Sequence, residues 1–167
     1  MILRPVSNSW RLDFGLLCFR VALGGVMFAH GAQKMFGLWG GDGWSATMEA
    51  FKGMGFSPIL STLAILAEVL GGAGLVLGAL TPLAALGPLC VMYVAIVKVH
   101  LRNGFFINWH MKGDVGHGIE YNVVLGLLAL GLLVAGPGRL SIDAWLTRRG
   151  RRKGGVAARY AAGRSEA

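Results

Sequence analysis

Residues 68–97 read EVLGGAGLVLGALTPLAALGPLCVMYVAIV, and this stretch decides the fold. After Glu68 no charge appears before Lys98, and only Thr81-Pro82 interrupts the apolar run. About 20 apolar residues cross a ~30 Å hydrocarbon core as a helix. The run and the residues before it therefore divide into two spans, about 59–80 and 83–101. A connection as short as Thr81-Pro82 makes them an antiparallel hairpin. Working outward, further apolar segments occupy about residues 12–36 and 121–137. The expected fold is all-α: a polytopic membrane protein whose residues 1–146 form an antiparallel bundle of four transmembrane helices. A basic tail, residues 147–167, is expected to be disordered.

Composition agrees. Hydrophobic residues make up 54% of the 167, charged residues 14%, and mean hydropathy is +0.59. A soluble domain of this length has too little interior to hide that share. The 27 glycines suit close helix packing in lipid. Arg4 and Arg11 resemble the start of a signal peptide, but Arg20 breaks the apolar stretch that follows, so the segment reads as a retained first span.

The net charge of +8 is unevenly placed, with eight of the sixteen basic residues following Gly138. With Arg4 and Arg11 they outnumber Lys34, Lys52, Lys98, Arg102 and Lys112 near the other two loops. That bias puts both termini on the cytoplasmic side. A basic tail there meets anionic lipid. Only Tyr160 interleaves with the cluster, which excludes the aromatic-and-basic pattern of nucleic-acid binding. Cys18 and Cys90 lie in apolar runs without a CxxC and read as buried small hydrophobes.

Arg20 and Glu68 sit well inside spans. A charge in hydrocarbon costs at least ~2.5–3.5 kcal/mol, so it needs a partner or a task. At 100° per residue Arg20, Gly24, Met27, Gly31 and Lys34 share one stripe. Glu68, Gly72, Leu75 and Ala79 share another, beside a seam of Gly71, Gly74 and Gly78. Counting helix rise from the cytoplasmic ends puts Arg20 ~12 Å deep and Glu68 ~17 Å deep. Two readings follow: a buried Arg20–Glu68 ion pair that sets helix register, or polar anchors for a ligand's head group.

A second polar group gathers near helix ends toward the outer face: His30, Gln33, Lys34, Lys98, His100, Glu120, Tyr121 and Asn122. Snorkelling accounts for Lys34 and Lys98. The alternative is a polar pocket in which His30, His100 or Glu120 exchanges protons with a redox-active ring, with Glu120 opposite a lysine. His110, Asp114 and His117 would share a face on a helix and could then bind metal. Gly113, Gly116 and Gly118 argue against a helix, and no metal site is expected. Nothing resembles a Ser-His-Asp set or a nucleotide fingerprint. Ser45 is the expected cap of a short interfacial helix between Trp44 and Ser57, and Ser141 of an amphipathic one.

Several of these residues resemble one family. Arg20 with Leu23-Gly24, and Phe28-Ala29-His30-Gly31-Ala32-Gln33-Lys34-Met35-Phe36-Gly37, are similar to the first span of DoxX-type membrane proteins. So are Glu68 with Gly71-Gly72, Leu75, Gly78 and Thr81, and Asn103-Gly104-Phe105-Phe106. So too are Gly118-Ile119-Glu120-Tyr121-Asn122 and Gly136-Pro137-Gly138-Arg139-Leu140-Ser141-Ile142-Asp143. The likeness covers residues 12–145. It implies a four-helix protein of the bacterial inner membrane with a redox association, some relatives being linked to thiosulfate:quinone oxidoreduction. It brings no accepted mechanism, and it does not cover the His110–His117 stretch. The function expected is a quinone-interacting membrane subunit of an oxidoreductase system. Arg20, Glu68, Gln33, Lys34, Tyr121 and Asn122 would hold the ligand, no haem is required, and electrons would come from a redox partner. The alternative is a non-catalytic scaffold that docks a partner protein. A small-solute transporter is the weaker third reading.

Overall fold

In the computed structural model the described residues are 9–113 and 115–150. The basic tail from residue 151, Arg4 and Asp114 lie outside them. The described chain is all-α.

Helix α1 runs Ser9–Phe36. Gly37, in the left-handed region at φ 70°, ends it, and a 3₁₀ turn, Leu38–Gly40, leads into α2, Gly43–Gly53. Helix α2 starts two residues before the expected cap. Asp42 precedes it and makes no side-chain cap, so Ser45 lies inside the helix rather than at its end. Helix α3, Pro58–Leu77, has the expected proline start, with Ser57 accepting from the Leu60 amide. It stops at Gly78, φ 65°. Three residues later α4, Thr81–Ala95, turns back. It continues through a π turn, Ile96–His100, and a 3₁₀ turn, Leu101–Asn103. A loop leads to α5, Glu120–Ala135, and a last helix, α6, covers residues 142–150.

Three helical stretches are long and apolar enough to cross a membrane: Trp10–Phe36, Pro58–Leu77 and Thr81–Asn103. Apolar α5 is shorter, at 16 residues or about 24 Å. Antiparallel packing runs α1 on α3, α3 on α4 and α4 on α5, with α5 closing back toward α1. Leu23, Met27, Leu75, Ala85, Leu125, Ala129 and Leu132 make the core.

Glycines set the helix separations. A Cβ on Gly24 would lie 2.7 Å from the Gly72 carbonyl, and one on Gly31 would lie 2.7 Å from the Val69 amide. These are the faces that the 100° projection groups together, and they bring α1 and α3 nearly backbone to backbone. The neighbouring seam of α3 does the same for α4, with Gly71 against the Ala84 carbonyl and the Pro88 ring. Both cysteines are exposed rather than buried and carry free thiols. Each lies on a face that no neighbouring helix covers, where a small apolar side chain suits lipid equally well.

Candidate functional site

Arg20 and Glu68 do not meet. Arg20 is fully buried and donates through Nη1 to the Leu75 carbonyl at 3.3 Å and through Nη2 to the Leu140 carbonyl. Glu68, 2% exposed, pairs with Lys34 instead, whose Nζ lies 2.6 Å from Oε2 and also bonds Oε1. Helix register is the reason. Helix α1 extends three turns before Arg20, so Arg20 stands level with the end of α3, against Leu75 and Gly78. Glu68 lies opposite Gly31, eleven residues or about 16 Å further along α1. Counting depth from the first apolar residue underestimates that overhang. Lys34 is correspondingly no snorkelling side chain.

Around Arg20 the segment after α5 forms a clasp. Asp13, buried in the first turns of α1, accepts from the Arg139 amide at 2.7 Å and from its Nε at 2.6 Å. Ser141 Oγ accepts from the Ala144 amide and so caps α6, as expected. The Asp143 carboxylate accepts from the amides of Leu80 (2.8 Å) and Thr81 (2.9 Å), and its own amide donates to the Gly78 carbonyl. Leu80 has φ 49°, a left-handed conformation that costs a branched residue about 1–2 kcal/mol. The bidentate carboxylate holds it there and starts α4. Burial opposes ionisation of Asp143, but the amide bonds and the nearby Arg20 charge outweigh it and keep its carboxyl below the ordinary 3.8. Among the described residues Arg20 Nε and Thr81 Oγ1 have no hydrogen-bond partner, so part of the burial penalty stands uncompensated.

The opposite end of the bundle is more open. The Lys34 side chain keeps 29% of its surface exposed, and its Nζ lies 5.9 Å from the centre of the Phe51 ring on α2. Phe51 stacks edge-on against Phe56 at 5.8 Å. Beside that pair, between α2 and the start of α3, is a cleft of about 280 Å³ lined by Met48, Glu49, Lys52, Phe56, Pro58 and Ser61. His30 is exposed one turn before Lys34. Gln33 is half-buried beside Gly41, whose carbonyl approaches Gly37.

The remaining expected site residues lie in or beside the connection from α4 to α5. His100 Nδ1 lies 2.9 Å from the His117 carbonyl, which also accepts from Asn103. His117 Nδ1 accepts from the Asn108 amide, and Glu120 Oε2 accepts from the Ile107 amide at 3.1 Å. Glu120 forms no ion pair with a lysine among the described residues. Asn122 is buried and donates to Met92 Sδ at 3.5 Å, while Tyr121 is exposed. Lys98 is exposed. No metal-binding group of side chains occurs among the described residues, and Asp114 is outside them. Arg139 and Asp143 belong to the resembling Gly136–Asp143 segment, but sequence reasoning gives neither them nor Asp13 a role in the site. Asp13 carried a signal, as a carboxylate at the start of the first apolar segment.

No curated protein and no solved structure matches the chain. A family model described as DoxX matches residues 15–101, the stretch that holds Arg20, Lys34 and Glu68 together with most of the three long apolar helices. The resembling segments at 118–122 and 136–143 lie beyond that match. Covering more than half of the 167 residues, it establishes that this multi-pass membrane protein belongs to the DoxX family.

Proposed function

We propose that this DoxX-family protein is a redox-associated membrane subunit that receives a quinone head group at the Lys34–Glu68 pair. The observation that carries the reading is a buried carboxylate neutralised by a lysine whose side chain is still partly exposed and lies against Phe51. An ammonium already held in low dielectric makes a strong donor to a quinone carbonyl. His30, one turn away, is the proton carrier, and Gln33 the second polar contact. Arg20 is enclosed by backbone carbonyls, so its task in this reading is to hold the bundle. His100 and Glu120 order the outer loop rather than the ligand. In this reading a redox partner supplies the electrons.

The setting proposed is the bacterial cytoplasmic membrane, with α5 as a fourth span and both termini inside. Arg11, Arg139, Arg148 and Arg149 cluster at the clasp end, in support of that orientation. A second reading, a scaffold that docks a partner, is favoured by a different observation. The loop before α5 exposes Phe106 by 73%, Trp109 by 76% and Met111 by 77%.

The test is quinone content. The protein is purified in native-lipid nanodiscs as wild type, Glu68→Gln and His30→Ala, and quinone per protein is quantified. Stoichiometric quinone that falls in folded variants is the expected result. Quinone no richer than in bulk lipid, and unchanged by either substitution, overturns the redox reading and leaves the scaffold.

A further inference from the structure

At the clasp end a second open cleft, about 470 Å³, is lined by Trp10, Asp13, Phe14, Arg139, Leu140 and Arg148. We infer that it is a binding site for one anionic phospholipid, its phosphodiester held by Arg139 and Arg148 and its acyl chain laid along Trp10 and Phe14. This site is independent of the quinone reading, and of the basic tail only Arg148 lines it.

Charge sets the stoichiometry. Two guanidinium groups face one carboxylate, that of Asp13, and the positive charge left over matches a single phosphodiester. Arg139 gives its Nε to Asp13, which fixes the fork while both terminal nitrogens remain available for an anion. Arg148 is anchored too, because Nη2 donates to the Arg139 carbonyl at 3.2 Å. The Arg148 guanidinium is thus tied to the backbone of Arg139, whose own guanidinium is held by Asp13. Planar forks held in this way suit phosphate oxygens better than flexible lysines do.

The apolar half of the cleft suits a lipid rather than a free ion. Trp10 is 57% exposed and Phe14 56%, one turn apart on the uncovered face of α1. Position agrees: the cleft lies where α1 leaves the bundle beside the loop after α5, the level of head groups if α1 crosses the bilayer. Interfacial aromatics and basic residues together are how membrane proteins hold anionic lipid.

A neighbouring arginine supplies the control. Arg149 stacks on Trp145, 5.2 Å from the ring centre, and does not line the cleft. Arg149→Gln removes the same charge from the same helix as Arg148→Gln. The full-length protein in detergent is titrated with phosphatidylglycerol, phosphatidylcholine or inorganic phosphate, and bound lipid is counted by native mass spectrometry. One phosphatidylglycerol should bind ahead of phosphatidylcholine. Arg148→Gln should weaken it about fivefold, the effect of one well-placed basic residue, and Arg149→Gln should leave it unchanged. Equal weakening in both variants would reduce the effect to diffuse attraction and overturn the site. So would equal binding of the two lipids, or displacement of phosphatidylglycerol by an equal concentration of inorganic phosphate.

Discussion

The two ends of the α1–α3 interface handle buried charge in opposite ways. At the clasp end Arg20 is sealed, with carbonyls from two segments in place of a counter-ion, and Asp143 stands near it on amides of the α3–α4 turn. At the other end Lys34 and Glu68 neutralise each other, and the lysine stays partly exposed. Backbone partners cannot move without unfolding, so the sealed end is suited to holding helices together. A side-chain pair with an open member can exchange one partner for a ligand. Similar charges in similar spans thus serve different ends according to what completes their hydrogen bonds.

Removing the charge at each end tests that contrast most directly. Arg20→Met removes the side-chain donor to the Leu140 carbonyl, leaves the Leu75 carbonyl only the Gly78 amide and deprives Asp143 of its nearby cation, and should destabilise the protein by about 3 kcal/mol. Thermal unfolding in detergent measures it, and a loss below about 1 kcal/mol would break the comparison at its stronger side. Arg20→Lys should not restore stability, because an ammonium cannot reach two carbonyls on separate segments as a fork does.

At the open end Lys34→Met strands a buried carboxylate and should cost about 2 kcal/mol. Adding Glu68→Leu should recover most of it, since a buried pair replaced by apolar side chains is often nearly neutral. Recovery of stability without recovery of bound quinone would sharpen the division between a structural and a functional end. If the double variant unfolds as readily as Lys34→Met, the pair is not separable from the fold.

The smallest effect concerns pH. The folded-state pKa of Asp143 lies below its ordinary value of 3.8. Its stabilising contribution is therefore complete above about pH 4 and is lost as pH falls through the folded-state value. Wild type should lose stability over that acid range more steeply than Asp143→Asn, in which the titrating group is absent. Parallel pH profiles for the two proteins would show that the carboxylate's charge does not hold the α3–α4 turn.

Much of this was legible beforehand. The hairpin at Thr81-Pro82 and the common face of Arg20, Gly24, Met27, Gly31 and Lys34 follow from hydropathy and helical period, which are local properties. The Ser141 cap likewise needs only its own neighbours. The pairing of Arg20 with Glu68 failed because it depended on axial register between two helices, and a start moved three residues earlier shifts depth by about 4.5 Å. The cysteines were misjudged for a related reason: apolar residues in a membrane bundle face lipid as readily as core, so hydrophobicity does not report burial.

Sequence alone determined the helices, the membrane as their solvent and the faces on which small and charged residues gather, because each depends on residue type and on a period fixed by backbone geometry. Tertiary structure decided which charges meet. That choice was made where Gly24 and Gly31 let α3 slide into close contact at one register only, setting Glu68 beside Lys34 and leaving Arg20 to the carbonyls of Leu75 and Leu140.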